Sequence, residues 1–432
     1  MPLKRVAITG MSVNTPIGDT LEGFAENLLA GRSAVSKWKM YDTEGIYSKV
    51  GADLKDYDIN AKLESLSAKL PKALFKRLQQ LVKRAPWSIK LSLLLTADAW
   101  LDAHLLYHSY DAERVAVIVA GHNINQNYNY QNYERFSEDP EYIDGLLALN
   151  GLDTDHAGSI SEMLQVHGPI YTMGAACASG NIALRSAVDE IRYHGNDVCL
   201  VAGAVLEFSP LDLQGMAIMG AITYQNFNDE PHKASRPFDK RREGFVPAHG
   251  GAVLVLEEWD AAIARDARIY AEVLGVAAGS DGNHLPQPSQ SGQATTMKRV
   301  LSESGILPQQ VDYISAHATS TPLGDLTEIA SIKEVFDEHA YKLKINAPKS
   351  ILGHTCWAAP TVESVAAIMQ MQKGKLHPSI NIENMDEAVD LDVCANNYVD
   401  HQAKICMKNS FGFGGINCVS LFRHVEHNEY QL

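Results

Sequence analysis

Short apolar runs alternate along the chain with longer stretches in which apolar residues recur every three or four positions. Short runs are typical of strands, and the longer stretches are typical of amphipathic helices. In the first part of the chain, strands are predicted at residues 5–10, 114–120, 170–175, 198–203 and 250–257. Helices are predicted there at residues 20–30, 71–105, 180–194 and 260–265. This alternation predicts a layered α/β protein.

The second part of the chain uses the same pattern again. Its predicted strands lie at residues 270–279, 313–317, 344–347, 403–409 and 418–423. Its predicted helices lie at residues 293–304, 325–336 and 361–372. We therefore expect two halves, residues 1–265 and 266–432, although their sequences are too dissimilar to demonstrate a repeat. Residues 123–142 are rich in Asn, Gln and Tyr and predict an excursion from the sheet, for example to a subunit interface.

Composition narrows the class of protein. The 432 residues are 46% hydrophobic, which is enough for two sizeable cores or one large two-lobed domain. Six cysteines are scattered without a CxxC pair, which favours a reducing compartment over a disulfide-bonded secreted protein. Neither a signal peptide nor an apolar stretch long enough to span a bilayer is evident. We therefore expect a cytoplasmic protein that is not associated with a membrane.

The net charge of −15 makes general affinity for nucleic acid improbable. Residues 62–90 run against this balance, because they carry eight lysines and arginines and a single glutamate, Glu64. Two interpretations stay open for this basic segment. It is either the solvated face of a helix or a docking patch for an acidic partner, which would steer the encounter.

Cys177 is the first candidate catalytic residue. It lies between the apolar run at residues 170–173 and the amphipathic stretch at residues 181–193. A strand that turns sharply into a helix would place the thiol at a helix N-terminus, where the unpaired N–H groups favour the thiolate. A lone cysteine among small residues is more often a packing residue. Two histidines elsewhere in the chain favour the catalytic interpretation.

His317 and His354 both follow strand-like runs, at residues 311–314 and 344–347. Each lies where a predicted strand ends in a polar loop, the edge at which α/β sheets place their ligands. The last candidate segment, residues 409–417, has three glycines in four positions. Its backbone could approach a ligand closely and offer N–H groups to an oxyanion, although such loops are also common tight turns.

Together, these four segments resemble the β-ketoacyl-acyl carrier protein synthases of the decarboxylating elongation type, which act in fatty acid and type II polyketide synthesis. The resemblance covers essentially the whole chain, with the motifs in the family's order and near-family spacing. It implies an α/β thiolase-like fold: two similar βαβαβαββ halves in a five-layered α-β-α-β-α arrangement, normally dimeric. The dimer would contain two copies of the chain or one copy with a chain-length-factor-like subunit.

The resemblance also implies a reaction. An acyl group would move from an acyl carrier protein to Cys177 and condense with a malonyl unit that loses CO₂. His317 and His354 would donate hydrogen bonds from Nε2 to the malonyl thioester oxygen. The backbone N–H groups of Cys177 and Phe413 would form the oxyanion hole. No cofactor is implied, because the substrates are carried on the phosphopantetheine of the carrier protein.

Further site residues follow from the resemblance alone. Lys349 would pair with Glu328 and orient His354, and the Phe413 ring would move to admit the malonyl unit. Five residues are expected to contact the substrate. Thr319 and Thr321 would bind the phosphopantetheine arm, and Phe411 of the last motif would contact the substrate as well. His122 and Ile124 would line an acyl tunnel. Docking of the carrier protein is expected to centre on Lys69, Lys72, Lys76 and Arg77.

Three departures from the family pattern limit these expectations. Residues 121–127 are polar where relatives have a Gly-rich segment, which suggests an acyl chain that is short or carries oxygen or unsaturation. Pro360 replaces a glycine but suits the first turn of a helix. Some relatives bind a structural cation through Asn, Glu and Ser, and the matching positions here are Ser315, Glu363 and Lys408. Because the ammonium of Lys408 could replace that cation, no metal is expected there.

Several alternatives stay open. Some relatives decarboxylate malonyl carriers without condensation in polyketide β-branching cassettes, and others are non-catalytic chain-length partners. Both groups typically lack the nucleophilic cysteine that this chain has. A thiolase would more naturally have a second cysteine in the last motif, where this chain has Asn409-Ser410-Phe411. A papain-like hydrolase is disfavoured, because two histidines without an obvious orienting Asn or Asp suit charge stabilisation better.

Overall fold

A computed structural model of the protein describes residues 3–426. Within that range, one large mixed sheet carries the fold. Its ten strands are β1 Val6–Asn14, β2 Val115–Ala120, β3 Ile170–Met173, β4 Val198–Gly203, β5 Gly251–Glu258, β6 Ala271–Ser280, β7 Tyr313–Ser315, β8 Lys344–Asn346, β9 Ile405–Gly412 and β10 Ile416–His424. Two short ribbons lie outside it, Ser36–Lys37 with Val50–Gly51 and Lys375–Leu376 with Val399–Asp400.

The strand order repeats between the two halves. The sheet runs β8-β7-β9-β10-β6-β1-β5-β4-β2-β3, so each half has its third, second, fourth, fifth and first strands side by side. In both halves the third, second and fourth strands, at the outer end of the sheet, run parallel to one another, and the fifth strand runs antiparallel to both of its neighbours, the fourth and the first. The halves join at β1 and β6 through only two residue pairs, Ala7 with Glu272 and Ile8 with Ala271. The predicted reuse of one pattern is confirmed at the level of topology.

Helices cover and separate these two sheet regions. Within the described range they are α1 Leu21–Leu29, α2 Ile59–Leu66, α3 Lys72–Arg84, α4 Trp87–Asp102, α5 Gln126–Glu138, α6 Leu147–Asn150, α7 Thr154–Leu164, α8 Ser179–Tyr193, α9 Pro210–Ile218, α10 Trp259–Ala264, α11 Gln290–Ser304, α12 Pro322–Phe336, α13 Lys349–Leu352 and α14 Ala359–Lys373. Helices α8 and α14 contact strands of both halves and form the central layer. With α4 and α7 outside the first half and α11 and α12 outside the second, the predicted five-layered thiolase-like fold is confirmed.

The prediction of one helix over residues 71–105 was wrong. The chain breaks there into α3 and α4 at Pro86. The residue before a proline is pushed out of the helical region by a steric clash, and Ala85 accordingly has an extended ψ of 151°. Pro360 lies in the first turn of α14, where its missing N–H costs nothing, as the sequence predicted. None of the helices between residues 3 and 426 is long and apolar enough to cross a bilayer.

Candidate active site

Cys177 lies in a strained turn between β3 and α8. The 3-10 turn Ala176–Ala178 leads directly into α8, and Ala176 has a φ of 46°, in the left-handed region that residues with a Cβ rarely adopt. Ser179 stabilises this turn, because its hydroxyl accepts from the N–H of Ala175 at 2.8 Å and donates to the carbonyl of Ala176 at 2.7 Å. The predicted strand–turn–helix setting of the cysteine is confirmed.

The Gly-rich loop after β9 packs against this turn. A Cβ atom on Gly412 would lie 2.7 Å from the carbonyl oxygen of Ala175 and 3.2 Å from the backbone nitrogen of Cys177. Glycine is therefore required for the close approach. The approach brings the N–H of Phe413 beside the N–H of Cys177 at the thiol, and both N–H groups lower the pKa of Cys177. Two backbone donors thus converge on the reacting sulfur.

Burial opposes the effect that the helix start was expected to have on the Cys177 thiol. Burial raises the pKa of Cys177 to about 12, and the nearby Lys349 ammonium and the two backbone N–H groups oppose this only in part. A buried sulfur loses hydration that an anion needs, and here that loss outweighs the attraction of the helix start. Burial therefore disfavours the thiolate of Cys177 in the unliganded site.

His317 and His354 lie together beside Cys177. Their ring centroids are 5.6 Å apart, with the planes at 84°. Phe411 packs on His317 and Phe245 packs on His354, at centroid distances of 5.7 and 5.0 Å. The backbone of His354 is fixed by two hydrogen bonds to residues 246–248. Both rings are therefore held by packing and by backbone contacts.

Hydrogen bonds assign the tautomer of each ring. Nδ1 of His354 accepts from the backbone N–H of Cys356 at 3.2 Å, and Nδ1 of His317 lies 3.4 Å from Nζ of Lys349, a group that can only donate. Burial first, and the lysine charges second, hold the pKa of both rings well below its usual value, so both are neutral. Each neutral ring therefore carries its proton on Nε2, as the resemblance implied.

Lys349 does not pair with Glu328, and this expectation is corrected. Nζ of Lys349 contacts Oε1 of Glu363 at 2.6 Å and reaches His317 rather than His354. Glu328 accepts from the backbone N–H groups of His317 and Ala318, at 2.9 and 2.8 Å. Both carboxylates are buried, and Glu328 fixes the His317 loop through these two hydrogen bonds.

Lys408 completes this buried charge network. Its Nζ lies 2.7 Å from Oε2 of Glu363, so one carboxylate bridges two buried ammonium groups. The same Nζ donates to the Ser410 hydroxyl at 3.2 Å and to the Asn409 carbonyl. Among residues 3–426, no cluster of three or more His, Cys, Asp or Glu side chains is arranged to hold a metal ion.

A cavity of about 330 Å³ opens onto Cys177, His317 and His354. Thr319 and Thr321 line its wall, with their hydroxyl oxygens 3.0 Å apart. Phe411 and Phe413 line it as well, and the Phe413 ring is 36% exposed. The expected nucleophile, both histidines, both threonines and both phenylalanines thus meet in one cavity.

The two expected tunnel residues lie outside that cavity. Ile124 is fully buried in the core that α4 and α7 cover. His122 stacks instead on Trp357, with ring centroids 4.5 Å apart. Trp357 is a residue that the sequence reasoning missed, although a large aromatic residue between His354 and the small pair Ala358-Ala359 was a visible signal.

Only some of the basic side chains in residues 62–90 are exposed at the surface. Lys69, Lys72 and Lys76 are exposed on or next to α3. Arg77 is half-buried, and its Nε donates to the carbonyl of Met163 at 2.9 Å. Arg77 therefore helps to hold α3 on α7, and the exposed charge comes from the lysines.

Known protein families match most of the chain. The family model for the N-terminal domain of β-ketoacyl synthases matches residues 3–262, and the model for the C-terminal domain matches residues 270–383. The chain belongs to the β-ketoacyl synthase family. It is 33% identical to a 3-oxoacyl-[acyl-carrier-protein] synthase 2 of Coxiella burnetii, over 96% of this chain and 98% of the relative.

Two further matches are proteins of polyketide systems. The chain is 32% identical to the polyketide biosynthesis malonyl-ACP decarboxylase PksF of Bacillus subtilis, over 98% of this chain and 97% of the relative. It also resembles the solved structure of a type II polyketide acyl carrier protein in complex with its ketosynthase bound to the hexaketide. That match has a TM-score of 0.86 and 28% identity, and covers 98% of this chain and 100% of the solved chain.

Proposed function

We propose that this protein condenses an acyl group held on Cys177 with a malonyl group carried on an acyl carrier protein, giving a β-ketoacyl carrier and CO₂. The observation that carries the proposal is the convergence of one thiol and two Nε2–H donors in one cavity. Family membership supports the same reaction. Thr319 and Thr321 are positioned to bind the arm of the carrier, and no cofactor takes part.

In the first half-reaction, Sγ of Cys177 attacks the acyl thioester carbon. The thiol proton passes to the departing pantetheine sulfur, so the reaction needs no permanently ionised cysteine. The N–H groups of Cys177 and Phe413 hold the negative oxygen of the tetrahedral intermediate. Attack is assisted by the Lys349 charge, which favours the developing thiolate.

In the second half-reaction, a malonyl thioester replaces the first arm in the cavity. The Nε2–H groups of His317 and His354 donate to its thioester oxygen, where negative charge collects as the C–C bond to CO₂ breaks. The resulting carbanion attacks the acyl carbon on Cys177, and Sγ leaves with the electron pair of the C–S bond. Phe413, half-exposed at the entrance, is positioned to move aside for the malonyl arm.

Intact-protein mass spectrometry tests this proposal on the wild type and Cys177→Ala with acyl- and malonyl-loaded carrier protein. We expect an acyl adduct on the wild type only, followed by an extended β-ketoacyl carrier. Cys177→Ala should retain the donors that promote decarboxylation but lose the extension. Conversion of malonyl to acetyl carrier without extension, in both proteins, would contradict condensation.

That contrary result would instead support the second candidate, a malonyl carrier decarboxylase. The similarity to PksF favours this candidate, and the donors for decarboxylation are the same two histidines. The buried thiol argues against it, because decarboxylation alone needs no nucleophile. Cys177 also argues against a non-catalytic chain-length partner, because such a subunit needs no nucleophile either.

Partners and organisation are proposed on the same basis. Exposed Lys69, Lys72 and Lys76 would receive the acidic carrier protein. Two solved ketosynthases to which the chain is similar stand in complex with a carrier protein or with a chain length factor, which supports a homodimer or such a heterodimer here. The repeated strand order supports a division at residues 1–265 and 266–432. Six free, buried cysteines support a reducing, cytoplasmic setting.

A further inference from the structure

The stack of His122 on Trp357 borders the nucleophile, yet it has no part in the chemistry proposed above. Trp357 lies in the 3-10 turn Cys356–Ala358, which contacts the Ala176–Ala178 turn. The indole lies on the imidazole of His122 with the two planes only 23° apart. The stack therefore joins a loop of the second half to the end of β2 in the first half.

The space around this stack is filled. Gly174 is three residues before Cys177, and a Cβ atom placed on it would lie 2.8 Å from Cβ of His122. A Cβ atom on Gly121 would lie 2.8 Å from Ile124 and 3.5 Å from Trp357. Trp357 also packs against the buried core of the first half and against a smaller cluster that includes Leu206 and Phe208. An added group would therefore meet side chains that are already in contact.

The cavity described above reaches Cys177. Among the described residues, its walls are formed mainly by residues 219–221, 281–293, 317–324 and 411–417, and neither His122 nor Trp357 contributes. During the proposed condensation, the malonyl arm occupies this entrance while the acyl group is still on Cys177. The acyl group therefore needs room of its own on the side away from the entrance.

We propose that the His122–Trp357 stack restricts the acyl group on Cys177 to a short chain, and that Trp357 is the residue that determines this specificity. The inference rests on the proposed condensation, because only condensation requires both groups to be held at once. Saturated acyl groups beyond a few carbons would have to displace the indole from its contacts with His122.

The inference can be tested with saturated acyl carriers of two to twelve carbons. Mass spectrometry measures how much of the Cys177 adduct each one forms. We expect the wild type to accept two- and four-carbon groups and to discriminate against eight carbons by about tenfold or more, within the range that pocket size can supply. Trp357→Gly should raise the eight-carbon adduct relative to the two-carbon adduct by about tenfold. Trp357→Phe, which retains an aromatic stack, is the matched control and should keep the wild-type preference.

The outcomes separate the two proposals. A wild type that accepts twelve carbons as readily as two, or a folded Trp357→Gly with an unchanged preference, would overturn the role of Trp357 and leave condensation standing. An absence of adducts at every length in the wild type would overturn condensation and the inference with it. If Trp357→Gly fails to fold, His122→Ala provides the same test, because the half-exposed His122 is the other ring of the stack.

Discussion

At the scale of single residues, the site depends on charges that water does not reach. Two lysine ammonium groups, Lys349 and Lys408, share the carboxylate of Glu363, and all three side chains are at most 2% exposed. Charges in such surroundings are tolerated only when each one is paired. Burial lowers the pKa of Lys408, and the charge of Glu363 opposes this shift. Lys408 therefore acts as a fixed internal cation whose partner in turn holds Lys349 at His317.

Replacing Lys408 by methionine removes this cation but keeps most of the stem. We expect a loss of about 3–5 kcal/mol in the free energy of unfolding, because Glu363 is left with one partner for two buried oxygens. Lys344→Met is the matched control. It breaks the pair with Asp392 at the surface and should cost less than about 1 kcal/mol. Urea unfolding of both variants measures the difference.

A second measurement distinguishes the internal cation, the Lys408 ammonium, from a bound metal ion. Malonyl decarboxylation by the wild type should be the same in potassium, sodium and tetramethylammonium chloride at equal ionic strength. Wild-type activity that requires potassium or sodium, or a Lys408→Met variant as stable as Lys344→Met, would contradict this role.

Sequence motifs identified the residues that meet in the cavity but not how they are paired. Cys177, His317 and His354 were found because their neighbours along the chain define a strand end and a turn. The partner of Lys349 depends on which carboxylate faces it after two helices have packed, and the family resemblance had implied Glu328. The pKa of Cys177 was also missed, because a helix start is visible in the sequence while the depth of burial is not.

At the scale of elements, α3 separates its functions by face. Leu74, Leu78 and Val82 are buried beneath the helix, while Lys72 and Lys76, one turn apart, are exposed. The sequence indicated a basic helical face here, although as part of one helix over residues 71–105. It did not show that Arg77 is engaged with Met163, because that contact depends on how α3 and α7 approach each other.

Reversing the charge of this face should weaken binding of the carrier protein. We expect Lys72→Glu with Lys76→Glu to raise the KM for the acyl carrier about tenfold at low salt, with kcat unchanged at saturation, because the charges steer encounter and lie outside the cavity. Lys55→Glu with Lys342→Glu, two exposed lysines elsewhere, is the charge-matched control. An equal rise in the KM of both variants would show that only net charge matters.

At the scale of the whole molecule, the two halves meet through a shared layer rather than through a separable interface. Asn181 illustrates this, because it is fully buried at the start of α8 in the first half and bonds to two strands of the second. Its Nδ2 donates to the carbonyl of Lys408 at 3.3 Å and to that of Cys418 at 3.1 Å. Since the central layer contributes to the core on both sides, neither half can lose it and keep its own sheet covered.

The halves should therefore unfold together. We expect one calorimetric transition for the wild type, and one transition shifted to lower temperature for Asn181→Leu. This substitution removes the side-chain donor to two buried carbonyl oxygens, at a cost of about 1–3 kcal/mol. The exposed Asn397→Leu is the control and should leave the midpoint nearly unchanged. Two resolved transitions, with only one displaced by Asn181→Leu, would mean that each half is stable alone. A single displaced transition would instead mean that the stability of the entire chain holds Cys177, in one half, close to His317 and His354, in the other.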